Sequence, residues 1–535
     1  METAERYDVV VLGTGAAGLT AALAAASEGA SVAVYEKSEE VGGTTALSGG
    51  IVWAPNNPYA AEAAVADSRE AALTYLGALS NGSIRTEMAE AFVDGVTPTL
   101  EWLREQTPLR LKPVPRYPDY HPEHPGGLPG GGRSLEPEFF CTHRLGSWLE
   151  RIVGTPRRLQ VAEIPSGGGG SGVLDPQVLA QRTAASLEGL GRGLVAALLQ
   201  GCLDRGIEPR TGIRAVELTT SGGRVDGVCF ETAHGPRRVA ADRAVILATG
   251  GFERDAELVA DFLRGPVAHP PGVPGNTGDG LRMAMRLGAR LGAMREAWWV
   301  PVVLAGPDRT PTLLLRERTL PGSLMVNGSG HRFTNEAANY NALGAAFHAF
   351  DVSAFRYGNL PAWLILDAAC ARRYGVFGTA PGEEPPPWLL RADTLDGLAA
   401  RIGVPATSLT ATVRRFNIAA HDGHDPDFRR GESRYDGWVG DQTYYGTPRA
   451  TLGPVATGPF YATEVHPSTL GTKGGPRTTP DGRVLRVDDT VIEGLYAAGN
   501  AMAAPTGMVY GGAGGTLGPA LVFGYLAGRH AARKR

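Results

Sequence analysis

The sequence is poor in cysteine, and this limits its metal chemistry. It has four cysteines in 535 residues, and no two of them form a Cys-x-x-Cys pair. Iron–sulfur clusters and zinc knuckles therefore lack their usual ligands. We predict no metal site, and we expect the cysteines to be reduced core residues, namely Cys141, Cys202, Cys229 and Cys370.

Long apolar runs and excess positive charge are also absent. No run approaches the roughly twenty apolar residues that span a bilayer, and the start, Met1 to Arg6, lacks the basic and apolar blocks of a secretory signal. The formal net charge is -4, and the basic tail is only Arg533-Lys534-Arg535, so we predict no nucleic-acid surface. We expect a cytoplasmic protein without an integral membrane segment.

A dinucleotide-binding fingerprint stands near the start of the chain. An apolar strand predicted at 7–12 runs into Gly13-Thr-Gly15-Ala16-Ala17-Gly18, which opens a predicted helix, and Glu36 ends the next strand. Gly13 suits a tight turn, Gly15 close approach of a pyrophosphate, and Gly18 tight helix–strand packing. The free N–H groups of the helix start can bind phosphates. This strand–helix–strand unit predicts a Rossmann-like α/β domain.

Further glycine-rich segments favour FAD over NAD as the cofactor. Gly42-Gly43-Thr44-Thr45 and Ser48-Gly49-Gly50 are placed to run beneath a flavin, and two later strands end in glycine at 243–251 and 494–499. A last glycine run, 511–516, precedes an apolar helix whose positive end can face the flavin. No histidine lies between Gly42 and Val52, so we predict noncovalent FAD. Because no second nicotinamide fingerprint is present, we expect electrons to pass to a quinone, a carrier protein or oxygen.

The predicted cofactor contacts come from all of these segments. They are Gly13, Gly15, Ala16, Ala17, Gly18, Glu36, Lys37, Gly42, Gly43, Thr44, Thr45, Ser48, Gly49, Gly50, Ala248, Thr249, Gly250, Asn276, Asp279, Gly499, Asn500, Gly515, Thr516 and Leu517.

Chain length and local residue composition predict two domains. A chain of 535 residues is too long for one ordinary core. Residues 276–445 are richer in proline, arginine and aromatics, so we predict an inserted α+β substrate domain there, with the FAD-binding domain formed by 1–275 and 446–535. The stretch from Ser166 to Gly172 is low in complexity and predicts a flexible loop.

Two sets of motifs carry a resemblance to known enzymes. The first set is the fingerprint, Gly42-Gly43-Thr44, Asn276-Thr-Gly-Asp279-Gly280 and Arg332-Phe-Thr-Asn-Glu336, and it resembles the fumarate reductase and succinate dehydrogenase flavoprotein superfamily. The second set is Tyr117-Pro-Asp-Tyr120, Asn335-Glu-Ala-Ala-Asn-Tyr340, Gly471-Thr-Lys-Gly-Gly475 and Tyr510-Gly-Gly-Ala-Gly514. Within that superfamily, it resembles one family, the 3-ketosteroid Δ1-dehydrogenases.

This resemblance implies α,β-desaturation of a cyclic 3-ketone, with a steroid as the first candidate. The Tyr510 hydroxyl and the Gly514 N–H would hold the carbonyl oxygen. Tyr340 would take the proton from C2 while the C1 hydrogen leaves as hydride to flavin N5. Because a free tyrosine has a pKa near 10, Tyr120 would help carry the proton away, with Tyr117 as the alternative.

Other functions stay open at this level. The segment between Ser134-Leu-Glu-Pro137 and Leu187 is shorter than the resemblance leads us to expect, which keeps smaller ketones of the cyclohexanone type as alternatives, beside Δ4-dehydrogenation of ketosteroids. A fumarate reductase-like enzyme would need arginines near Arg316 and Arg318, which we interpret as a solvated or salt-bridged face. A non-redox flavoprotein hydratase or isomerase is the remaining alternative.

Overall fold

The computed structural model describes residues 5–168, 172–232 and 235–533. Residues 1–4, the centre of the predicted glycine loop at 169–171 and the last two residues of the basic tail lie outside the described residues. No helix in the described part is long and apolar enough to cross a membrane. Location in the cytoplasm stays a prediction.

A mixed sheet, with seven strands among the described residues, forms the first unit. In its parallel part, Glu5–Leu12 lies between Val32–Tyr35 and Arg237–Leu247, and Arg237–Leu247 pairs in parallel with Val491–Ala497. The strand Glu5–Leu12 is an unbroken apolar run from Val9 to Leu12, as expected of a strand covered on both faces. The predicted strands near 7–12, 31–36 and the two later glycine turns are therefore confirmed. The remaining strands of this sheet are Arg214–Ser221, Arg224–Glu231 and Arg483–Leu485.

Helices pack together beside this sheet. Ala16–Ser27 packs against Leu517–Ala531, which also contacts Thr86–Gln106. The first two are rich in alanine, glycine and leucine, and most of their residues are buried. Helices near the two ends of the chain therefore belong to one hydrophobic core.

An antiparallel sheet forms the second unit. Phe460–Thr472 is its central strand and pairs with Ala297–Ala305, Ala362–Asp367 and Leu390–Ala392. The outer strands are Thr310–Leu313 and Ser323–Asn327. Helices Leu395–Ile402 and Ala406–Asp422 cover one side, where Leu398, Val413 and Phe416 pack on sheet residues. Strands and helices are separate in this unit, which is the α+β arrangement.

The long strand Phe460–Thr472 bears on the domain boundaries. It lies beyond residue 445, where the inserted domain is predicted to end, yet both of its edges pair with strands of the second unit. The division at 275/276 and 445/446 stays a prediction, and the strand pairing favours a later boundary, after Thr472.

The rest of the described chain consists of short strands and helices. In a small three-stranded sheet, Gly131–Pro137 pairs on one side with Val52–Trp53 and on the other with Leu111–Pro115. Two-stranded pairs are Leu291–Gly292 with Gly475–Pro476, Phe350–Asp351 with Arg356–Tyr357, and Phe140–Cys141 with Leu187–Glu188. The other α-helices are Gly43–Leu47, Pro58–Glu62, Arg69–Leu79, Pro176–Ala184, Leu190–Leu203, Ala256–Phe262, Asp279–Arg286, Tyr340–Ala346 and Ala368–Tyr374. The 3₁₀ turns are Thr142–Arg151, Val161–Glu163, Pro165–Gly167, Glu317–Thr319, Gln442–Tyr444, Pro448–Ala450 and Gly499–Ala501.

The cysteines follow the prediction only in part. Cys202 and Cys370 are buried, whereas Cys229 is partly exposed and Cys141 is exposed. The core prediction is wrong for Cys141 because it lies in a two-residue strand at the protein surface. Among the described residues, no group of three or more histidine, cysteine or acidic side chains is placed to hold a metal ion.

Candidate active site

Three buried tyrosines form a hydrogen-bonded chain between the two units. The Tyr120 hydroxyl donates to the Tyr340 hydroxyl at 2.8 Å, and Tyr340 donates to the Tyr510 hydroxyl at 3.0 Å. They come from distant parts of the sequence and belong to one apolar cluster, together with Trp298, Val300 and Trp438. The structure thus brings the predicted catalytic tyrosines together. Their catalytic roles stay predictions.

Tyr340 is held by the start of its helix. It is the first residue of Tyr340–Ala346, and the preceding Asn339 caps that helix by accepting from the Ala342 amide at 2.9 Å. The other end of the Asn339 amide donates to the Tyr120 carbonyl at 3.2 Å. One side chain therefore fixes both partners of the Tyr120–Tyr340 hydrogen bond. This explains the local sequence Asn-Tyr, because asparagine is a preferred N-cap.

A buried ionic network anchors the segment before this helix. Arg332 pairs with Glu336 at 2.7 Å and with Asp425 at 2.8 Å, and Arg430 reaches Glu336 at 3.2 Å. All four groups are almost inaccessible to water, so each charge needs its partners. Arg332 and Glu336 belong to the predicted superfamily motif, and here they hold the chain that leads to Tyr340.

The loops that carry Tyr120 and Tyr510 are tied to each other. The Tyr120 amide donates to the Gly511 carbonyl at 2.9 Å, and the Tyr75 hydroxyl donates to the same carbonyl at 2.7 Å. Beside Tyr120, the buried Asp119 accepts from the Trp53 indole and from Arg133, both at 2.8 Å. These contacts hold the loop of Tyr120 beside the loop of Tyr510.

Gly514 lies next to the Tyr510 hydroxyl in a conformation that suits only glycine. Its φ is +92°, and a Cβ there would lie 2.3 Å from the Ile51 carbonyl oxygen. Burial raises the pKa of Tyr510, while hydrogen bonding with Tyr340, with the Thr516 side chain and with the Gly514 amide opposes that rise. The two groups predicted to hold a carbonyl oxygen are therefore neighbours.

Burial also raises the pKa of Tyr120 and Tyr340 well above its ordinary value. A phenolate at Tyr340 is thus a minor species at neutral pH, and a proton that it accepts must move on. Tyr435, which the sequence did not reveal, extends the chain, because its ring lies edge-on to Tyr120 with centroids 5.0 Å apart. Burial raises the pKa of Tyr435 too, while the positive charge of Arg318 and hydrogen bonding with Tyr120 oppose the rise.

Tyr117 has a different environment from Tyr120. Its ring stacks on Trp438 with centroids 4.8 Å apart, and Tyr120 is the residue in contact with Tyr340. The Trp438 indole donates to the Ser166 carbonyl at 3.2 Å, and a Cβ at Gly168 would lie 2.7 Å from that indole. The described start of the predicted flexible loop, Ser166–Gly168, is therefore packed on Trp438, because its glycines allow close approach.

Arg316 and Arg318 do not form a solvated or salt-bridged face. Arg318 is 1% exposed and donates to the carbonyls of Leu314, Glu336 and Ala338. Arg316 donates to the carbonyls of Tyr374 and Gly375. The sequence-based interpretation was wrong here because main-chain carbonyls, which no residue pattern reveals, satisfy both guanidinium groups.

The fingerprint glycines adopt the backbone that a phosphate loop needs. Gly13 has a φ of +109°, and a Cβ on Gly18 would lie 2.0 Å from the Gly13 carbonyl oxygen. The helix that follows has Gly15 as its N-cap, and Gly15 has no side chain that could cap it. The Thr45 hydroxyl accepts from the Ala16 amide at 3.1 Å, and Ala17 and Gly18 follow in the same first turn. A helix start beside a glycine turn is typical of a pyrophosphate site.

Other predicted cofactor residues surround this helix start. The Thr44 hydroxyl accepts from the Asn276 amide at 3.1 Å, and the Ser48 hydroxyl accepts from the Gly50 amide at 3.0 Å. Thr249, which follows the strand Arg237–Leu247, has a buried hydroxyl without a hydrogen-bond partner. Further predicted contacts in these segments and beside the helix start are Gly42, Gly43, Gly49, Ala248, Gly250 and Gly499. The glycine turn at the helix start and the Thr249 hydroxyl without a hydrogen-bond partner fit a dinucleotide such as FAD.

Three charged residues predicted to contact the cofactor already have partners. Glu36 accepts from the Thr14 hydroxyl at 2.7 Å and so orders the glycine turn. Lys37 pairs with Asp279 at 2.7 Å, and Asp279 also pairs with Arg214 at 2.8 Å. Glu36 keeps acceptor capacity for ribose hydroxyls, since a carboxylate has about four lone-pair sites. Direct cofactor contacts of Lys37 and Asp279 stay predictions.

The last glycine run brings the second helix start to the tyrosines. Leu517–Ala531 has Thr516 as its N-cap and no side chain capping it, and Gly515 precedes it. Asn500, from the segment after the strand Val491–Ala497, accepts from the Trp298 indole at 3.1 Å. Trp298 in turn packs edge-on against Tyr510, with centroids 4.8 Å apart. These contacts join predicted cofactor residues to the tyrosine chain.

Comparison with known proteins agrees with this geometry. A family described as "FAD binding domain" matches residues 8–517. The chain is 41% identical to a 3-oxosteroid 1-dehydrogenase of Mycobacterium tuberculosis, with 99% of each chain covered. It is 42% identical to a 4-oxocyclohexanecarboxylate 2-dehydrogenase of Sinomonas cyclohexanicum, covering 98% of this chain and 92% of the relative.

Comparison with a solved structure also finds similarity to a ketosteroid dehydrogenase. The crystal structure of a 3-ketosteroid Δ1-dehydrogenase from Sterolibacterium denitrificans, in complex with 1,4-androstadiene-3,17-dione, superposes with a TM-score of 0.90. The two proteins are 36% identical, and 99% of each chain is covered. The chain therefore belongs to the FAD-binding 3-ketosteroid Δ1-dehydrogenase family.

Proposed function

We propose that the protein is an FAD-dependent oxidoreductase that desaturates a cyclic ketone between its α and β carbons, with Δ1-desaturation of a 3-ketosteroid as the first candidate. The observation that carries the proposal is the buried chain Tyr120–Tyr340–Tyr510 with the Gly514 amide beside its end. The similarity to 3-oxosteroid 1-dehydrogenases over the whole chain supports it.

The carbonyl oxygen would be held by Tyr510 and Gly514. Because Tyr510 accepts a hydrogen bond from Tyr340, its own O–H hydrogen is available to a ketone. Two donors in a site closed to water stabilise the negative charge that develops on the oxygen as the α C–H bond breaks. This makes the α hydrogen acidic enough to be removed.

Tyr340 would accept the α proton. As a phenolate, Tyr340 would be stabilised by the hydrogen bond that the Tyr120 hydroxyl donates to it. Once Tyr340 holds the α proton, passing it on would require the Tyr120 hydroxyl to turn towards Tyr435, whose ring lies against it, and to accept from Tyr340. As the α C–H bonding pair forms the new carbon–carbon double bond, the β hydrogen must leave with its own electron pair. Bound FAD supplies the acceptor for that hydrogen and both electrons.

The electrons must then leave to an external acceptor. We propose a quinone or a carrier protein, because the sequence has no second nicotinamide fingerprint. Because the reduced flavin needs an external electron acceptor, an artificial acceptor has to be supplied in turnover measurements.

A smaller cyclic ketone is the second candidate. It is favoured by the short segment between Ser134-Leu-Glu-Pro137 and Leu187, and by the similarity to a relative named for 4-oxocyclohexanecarboxylate. The deciding experiment measures kcat/KM with an artificial acceptor for androst-4-ene-3,17-dione and for 4-oxocyclohexanecarboxylate. A higher value for the steroid, with the 1,4-diene as product, supports the first candidate. A higher value for the small ketone replaces it, and turnover of neither contradicts both.

A further inference from the structure

A fully buried lysine lies behind the proposed carbonyl site. Lys473 is 0% exposed and follows directly after the central strand Phe460–Thr472 of the second sheet. Its ammonium group donates to the main-chain carbonyls of Met508 and Val509, both at 2.9 Å. These are the two residues that immediately precede Tyr510. The lysine therefore connects the second sheet to the loop that carries the Tyr510 hydroxyl.

The same ammonium group contacts the rings that pack on each other at this site. It lies 4.0 Å from the centroid of Trp298 and 5.9 Å from that of Tyr510. Trp298 is fixed on its other side by its hydrogen bond to Asn500. A cation above an indole face is attracted by the ring, and more strongly where water is excluded. Lys473 thus contacts both the backbone before Tyr510 and the ring against which Tyr510 packs.

Burial of the Lys473 ammonium group costs free energy, so we expect an interaction that compensates for this cost. In the described part of the chain, no carboxylate oxygen lies within 4.0 Å of the Lys473 ammonium, and burial lowers its pKa to about 7, with Glu296 and Arg264 as the nearest charged influences. Lysine is rarely fully buried without a paired charge. A methionine would fill the same space without this cost, but it could not donate to the two carbonyls.

We propose that Lys473 is a positioning residue for the carbonyl-binding step, which fixes the Tyr510 hydroxyl through the Met508 and Val509 carbonyls and the Trp298 ring. The inference builds on the proposed function, because it assumes that Tyr510 holds the ketone oxygen. Lys473 itself would not contact the substrate.

The test isolates removal of the α proton from the redox step. Holoenzyme reduced with dithionite cannot accept a hydride, so exchange of the α hydrogens of the ketone with D2O reports enolisation alone. The exchange rate is measured by mass spectrometry, buffered below the Lys473 pKa of about 7, for wild type, Lys473→Met, Tyr510→Phe and the double variant. The ketone is whichever of androst-4-ene-3,17-dione or 4-oxocyclohexanecarboxylate bleaches the wild-type flavin. Lys112→Met is the control, because that lysine is partly exposed and pairs with Gln160 and Glu136.

We expect the effects of Lys473→Met and Tyr510→Phe on the exchange rate to be non-additive. Tyr510→Phe should slow exchange by about a hundredfold, as loss of an oxyanion donor does, and Lys473→Met by at least about tenfold, with Lys112→Met unchanged. In the Tyr510→Phe background, Lys473→Met should cost less than about threefold, because residues acting through one contact are coupled. If Lys473→Met fails to retain FAD, Lys473→Gln, which keeps a donor, is measured in the same cycle.

Two outcomes contradict different statements. In the first, Tyr510→Phe slows exchange, but Lys473→Met slows exchange in the Tyr510→Phe background by the same factor as in wild type, or slows it in neither background. Lys473 then does not act through Tyr510, and only this inference fails. If Tyr510→Phe leaves exchange unchanged, the carbonyl-binding role of Tyr510 in the proposed function is wrong, and the inference fails with it.

Discussion

Replacement of Tyr340 by phenylalanine tests the proposed base. The substitution removes one oxygen atom that accepts from Tyr120 at 2.8 Å and donates to Tyr510 at 3.0 Å. Loss of a general base typically slows the chemical step by about 10² to 10⁴-fold, which corresponds to about 3 to 5 kcal/mol in the activation barrier. The Tyr120 hydroxyl also loses its buried acceptor, at a cost of about 1 to 3 kcal/mol in stability. No predicted cofactor contact is touched, so FAD should stay bound.

The assay is anaerobic stopped-flow mixing with ketone, following the oxidised flavin band. The matched control is Tyr461→Phe, because Tyr461 is a buried tyrosine in the core of the second sheet, outside the tyrosine chain. Tyr340→Phe should show normal flavin absorbance and bleach at least about a hundredfold more slowly, while the control bleaches at the wild-type rate. Bleaching of Tyr340→Phe at the wild-type rate would refute the assignment of the base.

Further substitutions and pH test the other parts of the site. Tyr120→Phe removes the donor to Tyr340 and should slow flavin reduction by at least about tenfold, whereas Tyr117→Phe should slow it less; equal losses would contradict the relay. Gly514→Ala forces a Cβ to 2.3 Å from the Ile51 carbonyl oxygen at a φ of +92°, so it should lower the unfolding temperature and weaken ketone binding, and thermal unfolding with and without ketone checks this. Because burial raises the pKa of Tyr340, its phenolate fraction grows with pH. Flavin reduction should therefore accelerate by up to about tenfold per pH unit below the Lys473 pKa of about 7, and a flat profile from stopped-flow runs would count against a tyrosine base.

The sequence predicted the first unit well because its signals are local. A strand, a glycine turn and a helix follow one another within residues 5–27, so periodicity and glycine spacing are sufficient to place them. The candidate tyrosines were found for another reason, since the resemblance supplied positions that no local pattern marks. Composition alone would not single out Tyr340 among the sixteen tyrosines of the chain.

The remainder depends on contacts between distant segments. The strand Phe460–Thr472 pairs with three strands that begin at Ala297, Ala362 and Leu390, far earlier in the chain, and its own sequence does not identify these partners. Tyr435 contacts Tyr120, and Lys473 contacts Met508, only because the fold brings distant segments together. Arg318 donates to main-chain carbonyls, which every residue possesses. Such partners become visible only in the folded chain.

The most direct test of the central claim is anaerobic mixing of the holoenzyme with androst-4-ene-3,17-dione, with 4-oxocyclohexanecarboxylate and, separately, with succinate, followed by analysis of the product. We expect a cyclic ketone to bleach the flavin and to be recovered with one new double bond beside its carbonyl, while succinate leaves the flavin oxidised. Bleaching by succinate alone, or by none of the three, would contradict it.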